Sequence, residues 1–62
     1  MKPIRILVTD DHPVVRAGII GMFSGHSEFE IVGEAAHGEA AVALAHQLQP
    51  DVILMDLRMP IL

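Results

Sequence analysis

A chain of 62 residues is one small domain at most, and it buries only about 60% of the surface that its unfolded form exposes. With 52% hydrophobic residues, 3% aromatic residues and no cysteine, its core must be built from Val, Ile, Leu, Ala and Met, and a disulfide scaffold and a thiolate zinc site are excluded. The formal net charge of -4 argues against direct contact with nucleic acid, because phosphate binding needs a basic face.

No apolar run approaches the length of a membrane span, and the N-terminus lacks the pattern of a secretory signal. The expected location is therefore the cytoplasm, with no membrane partner. There is no internal repeat, low-complexity tract or linker. Ile4 to Thr9 reads as a first strand, nearly continuous in apolar character, as in a parallel sheet buried on both faces. It ends in Asp10-Asp11-His12-Pro13. Pro13 suits the first position of a helix, and an acid just ahead of it suits the free N–H groups and positive dipole end there. This helix is expected to run to about Ser24. Val15, Ile19, Met22 and Phe23 fall on its apolar face, Gly18 allows close approach to a sheet, and Gly25 is the stop.

Phe29 to Ala35 is a second strand, and its Glu30 and Glu34 give it an edge-like composition. His37-Gly38-Glu39 opens a second helix that reaches about Gln49, with Ala41, Leu44, Ala45 and Leu48 as its apolar stripe. Pro50 ends it. Val52 to Met55 is a third strand. Its four consecutive apolar residues lack two-residue alternation, which again suits a strand buried on both faces. Asp56 stands where that run stops.

The order strand, helix, strand, helix, strand implies right-handed crossovers and a parallel sheet. With the second strand on one side of the first and the third on the other, the order is 2-1-3. The carboxyl ends of strands one and three then flank a topological switch point, where open α/β sheets place their ligands. Asp10 and Asp11 reach that crevice from strand one, and Asp56 reaches it from strand three. Like charges held together repel, and a hard divalent cation removes the conflict. Magnesium prefers oxygen ligands, keeps several waters and takes one or two carboxylates, which leaves a carboxylate beside it. Such a carboxylate can attack phosphorus to form an acyl phosphate, with the metal stabilising charge on the transferring group. Spacing and topology alone leave open which acid plays which part.

Two segments, Ile6-Leu-Val-Thr-Asp-Asp-His-Pro13 and Asp51-Val-Ile-Leu-Met-Asp-Leu-Arg-Met-Pro60, resemble the receiver domain of bacterial two-component response regulators. The Asp-His-Pro turn and Val32-Gly-Glu-Ala-Ala-His-Gly-Glu-Ala40 are similar to its NarL/LuxR-type subgroup. The resemblance implies the first half of a flavodoxin-like, doubly wound α/β fold, with residues 1–62 as a partial receiver domain truncated after the third strand. It implies that Asp56 is the phosphoacceptor and that magnesium is held by Asp11, Asp56 and the Arg58 backbone carbonyl, with Asp10 acting through water. The implied phosphodonor is a sensor histidine kinase. DNA would be reached only through an output domain absent from this chain, and the implied role is signalling rather than enzymatic.

Departures from the family pattern qualify that expectation. Members carry a Ser or Thr after a fourth strand and a Lys after a fifth, both on the phosphoryl group, and the chain stops before either. Thr9 stands where an apolar residue is usual, and His37 where the subgroup often has Asp. The fragment alone is therefore expected to be inactive or nearly so. Alternatives are a magnesium-dependent phosphatase or phosphotransferase with an aspartyl nucleophile, and a non-functional assembly fragment. The third strand's unpaired edge predicts a homo-oligomer. His12, His26, His37 and His46 show no i, i+4 pair on a helix and are read as loop or surface residues rather than zinc ligands. Arg5 and Arg16 are read as solvated.

Overall fold

The computed structural model describes residues 2–55. Its elements are β1 (Ile4–Thr9), α1 (Pro13–Phe23), β2 (Phe29–Ala35), α2 (Gly38–Leu48) and β3 (Val52–Met55). The three strands form one sheet, parallel throughout, in the order β2-β1-β3. The alternation and the strand order expected from the sequence are both present. Among the described residues no helix is long and apolar enough to cross a membrane.

β1 is the axis of the sheet, paired on both edges, and Leu7, Val8 and Thr9 are almost completely enclosed. Its ladder with β3 runs from Ile6 opposite Val52 to Thr9 opposite Met55. Just before β3, the Asp51 N–H donates to the Arg5 carbonyl at 2.8 Å, and Asp51 Oδ2 accepts from the Arg5 N–H at 2.9 Å. The Arg5 guanidinium in turn donates to the Gln49 carbonyl at 2.9 Å. A cation at a helix C-terminus meets carbonyls that have no intrahelical partner. Arg5 is therefore tied down rather than solvated. It fastens the start of β1 to the α2–β3 connection, where Gln49 turns the chain with a left-handed φ of 49° before Pro50.

β2 contains a feature that the sequence reading missed. Ile6 lies opposite Ile31, but Leu7 lies opposite Gly33, so Val32 is one extra residue in the ladder. Residues two apart on a regular strand share a face, but across the bulge Ile31 and Gly33 stand on opposite faces, level with Ile6 and Leu7. Before the bulge, Phe29 and Ile31 line a cavity beside α1 with Ile20 and Phe23. Phe23 and Phe29 meet edge to face at 5.0 Å. Beyond the bulge, Ala35 joins Leu7 and Ala41 in the core under α2. A Cβ added at Gly33 would fall 2.8 Å from Leu48 Cδ1 and 3.3 Å from Leu7 Cδ1, so a larger residue here would push the Leu48 side chain aside. That close approach was assigned to Gly18 from the sequence. In fact a Cβ at Gly18 would meet nothing within 4 Å.

The two helices are packed unequally. The α2 stripe sits as expected, with Ala41 buried and Leu44 and Ala45 packed against the core. α1 has no fully buried residue, and Val15 and Met22 of its expected face are exposed. The α1 contact is narrower than the stripe because it is made by Ile20 and Phe23 around Phe29 and Ile31. β3 also departs from expectation. Among the described residues it is an end strand, paired only with β1, and Val52, Ile53 and Met55 are all at least 40% exposed.

Candidate functional site

The site begins where β1 stops. The Asp10 N–H extends the ladder by donating to the Ala35 carbonyl at 3.1 Å. Its side chain is 2% exposed, and Oδ1 accepts from the His12 N–H at 2.8 Å. That bond satisfies a donor at the start of α1, whose N-cap is His12 and whose first residue is Pro13. His12 offers no side-chain cap of its own, so the acid two residues upstream does the capping. An aspartate can hydrogen-bond a backbone N–H two residues on, and the helix dipole favours its negative charge.

Asp11 is partly exposed, and its Oδ1 lies 2.7 Å from His12 Nδ1. The same nitrogen is 3.5 Å from Asp10 Oδ1. Ligand atoms of Asp10, Asp11 and His12 all fall within 4.8 Å of one another. The turn thus presents one enclosed and one accessible carboxylate. Hard oxygen donors of this kind suit magnesium, which binds through few carboxylates and keeps its waters. The adjacent imidazole was missed because it pairs with neighbours along the chain, not with another histidine at helical spacing.

Arg16 is the second residue that the sequence reading misjudged. Its side chain is only 19% exposed. Nη1 donates to the Asp10 carbonyl at 2.8 Å, and Nε donates to Glu34 Oε1 at 2.9 Å. One guanidinium on α1 therefore bridges the end of β1 and the adjacent edge strand β2. A sequence signal was present, because Arg16 lies four residues after the N-cap, one turn into the helix that starts at the site.

β3 ends at Met55, opposite Thr9, so the carboxyl ends of β1 and β3 are neighbours. Asp10 and Asp11 come together, as expected. Asp56 and Arg58 lie outside the described residues.

Known proteins resemble this chain in sequence and fold. The family model described as the response regulator receiver domain matches residues 6–62. The response regulator protein VraR of Staphylococcus aureus is 54% identical over 56 residues, which cover 90% of this chain and 27% of that protein. The signal receiver domain of the putative response regulator NarL from Mycobacterium tuberculosis superposes with a TM-score of 0.90 at 42% identity, covering 97% of this chain and 48% of that one. The isolated REC domain of RcsB from Salmonella enterica serovar Typhimurium, determined in the presence of phosphomimetic BeF3-, superposes with a TM-score of 0.87 at 29% identity, covering 94% of this chain and 42% of that one. This chain thus spans about a quarter of the curated relative and about half of the solved receiver domain. Sheet order and flavodoxin-like topology agree with these matches: the chain belongs to the response regulator receiver domain family.

Proposed function

We propose that residues 1–62 are the first half of a phosphoacceptor receiver module that takes a phosphoryl group from a sensor histidine kinase onto Asp56 and thereby controls an output domain, here transcriptional. The observation that carries this reading is the acidic turn itself. Asp10 is enclosed and fixed by backbone hydrogen bonds, Asp11 stands accessible beside it, and the end of β3 lies alongside. Enclosing a carboxylate is unfavourable unless its hydrogen bonds are met, so a turn that does so next to a second acid is built for a cation. In this reading Asp11, Asp56 and the Arg58 carbonyl hold magnesium, and Asp10 reaches it through water. When bound, the metal offsets negative charge on the transferring group.

The Asp56 carboxylate attacks the phosphorus of a phosphohistidine. The P–N bond breaks, the imidazole takes up a proton, and an aspartyl phosphate remains. DNA is reached only through the output domain. The module works in the cytoplasm and is itself no turnover enzyme.

Two measurements test this. Asp11→Asn in this chain should abolish saturable manganese binding followed by paramagnetic resonance, a stand-in for magnesium. In a chain continued through the family's Ser/Thr and Lys positions, a small phosphodonor should label one acid-stable, base-labile site that Asp56→Asn removes. Multiple turnovers of a phosphomonoester would instead indicate an aspartyl phosphatase. The 62-residue chain itself should be labelled poorly or not at all, since phosphoryl transfer depends on positioning and charge stabilisation from the groups it lacks.

A further inference from the structure

We propose that Arg16 is a positioning residue for the acidic turn, holding the Asp10–Asp11 backbone in shape while Glu34 cancels its charge. The inference rests on the reading of that turn as a cation site.

Asp10 is fastened at three points: its N–H to Ala35, its Oδ1 to the His12 N–H, and its carbonyl to Arg16. Only the third fastening is made by the side chain of another residue. The Asp10 carbonyl belongs to the peptide that leads into Asp11, so a restraint there limits where the Asp11 carboxylate can point. Guanidinium is planar, with its donors in a fixed fork. With Nε held by Glu34 on β2 and Nη1 by Asp10, Arg16 has little rotational freedom left. The side chain is mostly buried, so water competes weakly for these bonds.

A fixed positive charge this close to a divalent-cation site would ordinarily weaken it. The Glu34 carboxylate at 2.9 Å offsets that charge on the side away from the turn. The field at the site is then governed by Asp10 and Asp11. Lysine could not substitute, because a single ammonium lacks the fork that spans the two acceptors. A purely structural strut between α1 and β2 would show the same two contacts, so the test must separate positioning from stability.

The test uses the 62-residue chain and its Arg16→Lys, Arg16→Gln and Glu34→Gln variants. Two quantities are read: manganese affinity by paramagnetic resonance, and hydrogen exchange of the His12 amide, with the β1 amides as a control for the fold. Arg16→Lys and Arg16→Gln are expected to lower manganese affinity about tenfold, the scale seen for outer-shell partners of metal ligands. They should also speed exchange at His12 while β1 stays protected. Glu34→Gln is expected to leave His12 protected and lower affinity by about threefold, a deficit that shrinks as salt screens the freed charge. Unchanged affinity and unchanged His12 exchange in Arg16→Gln would overturn the proposal. So would a loss of protection at His12 matched by an equal loss throughout β1. Should the parent chain bind no manganese, the cation reading fails by itself, and His12 exchange still decides whether Arg16 positions the turn.

Discussion

Thr9 and Asp10 are adjacent, equally enclosed and opposite in how their polar atoms are met. Asp10 has partners for its amide, carbonyl and carboxylate. Thr9 Oγ1 is buried with no hydrogen-bond partner among the described residues. A buried hydroxyl left unpaired costs about 1–3 kcal/mol, whereas an isosteric apolar group carries no such cost. Thr9→Val should therefore raise stability by about 1 kcal/mol, read as a higher urea midpoint at unchanged slope. A lower midpoint would mean that the hydroxyl is used in the folded chain.

At this scale much of the site was legible in the sequence and some was not. The acidic pair announced itself because both acids follow directly on an apolar strand. Arg5 and Arg16 looked solvated because their partners are remote: the Gln49 carbonyl is 44 residues from Arg5, and the Glu34 carboxylate is 18 residues from Arg16. Local reading sees an arginine in a helix or strand, not the acceptor that folding brings to it.

The elements differ in how closely local pattern matched packing. α2 was read almost to the residue, because its apolar period coincides with the face laid on Leu7 and Ala35. His37 caps it, its Nδ1 accepting the Ala40 N–H at 3.2 Å, so the imidazole serves where the resemblance led one to expect Asp. α1 was read in extent but not in contact. Gly18 is exposed inside the helix, with open space where a Cβ would stand. Glycine in a helix interior costs about 1 kcal/mol against alanine when nothing requires it. Gly18→Ala should thus stabilise the chain by about 0.5–1 kcal/mol in chemical denaturation. Gly33 behaves oppositely: Leu48 and Leu7 already occupy the space its side chain would need. No local rule distinguishes these two glycines, because the difference lies in what another element presses against them.

For the molecule as a whole, a parallel sheet followed from handedness and alternation, rules that do not depend on detailed packing, whereas the order 2-1-3 needed the further condition that β2 and β3 flank β1. Exposure did not follow so simply. β3 reads as a core strand, yet Val52, Ile53 and Met55 are open, and Ile53 and Met55 line a cavity with Ala41, Val42 and Ala45 of α2. An open apolar edge is a template for pairing with another chain. We propose that the isolated chain associates with copies of itself through this edge, which a symmetric dimer would cover. Sedimentation across micromolar concentrations should show dimer mass or larger, and Ile53→Lys should move it toward the monomer. A compact, folded species of monomer mass throughout that range would refute the association.

The bulge at Val32 makes β2 two short strands joined out of phase, each addressed to a different helix. Its function is carried by register rather than by side-chain identity. Many residue types at position 32 would keep the count and therefore both addresses. Ironing out the bulge at constant length would set Val32 opposite Leu7 and Glu34 opposite Thr9, which would swing Gly33 and Ala35 away from Leu7 and send Glu34 to the face where α2 packs. The guanidinium of Arg16 would then reach for a carboxylate that has moved to the other side of the sheet. Along this strand a one-residue slip in pairing is thus a more drastic change than any one replacement at Val32, and the geometry of the acidic turn depends on a register set by a residue that takes no part in its chemistry.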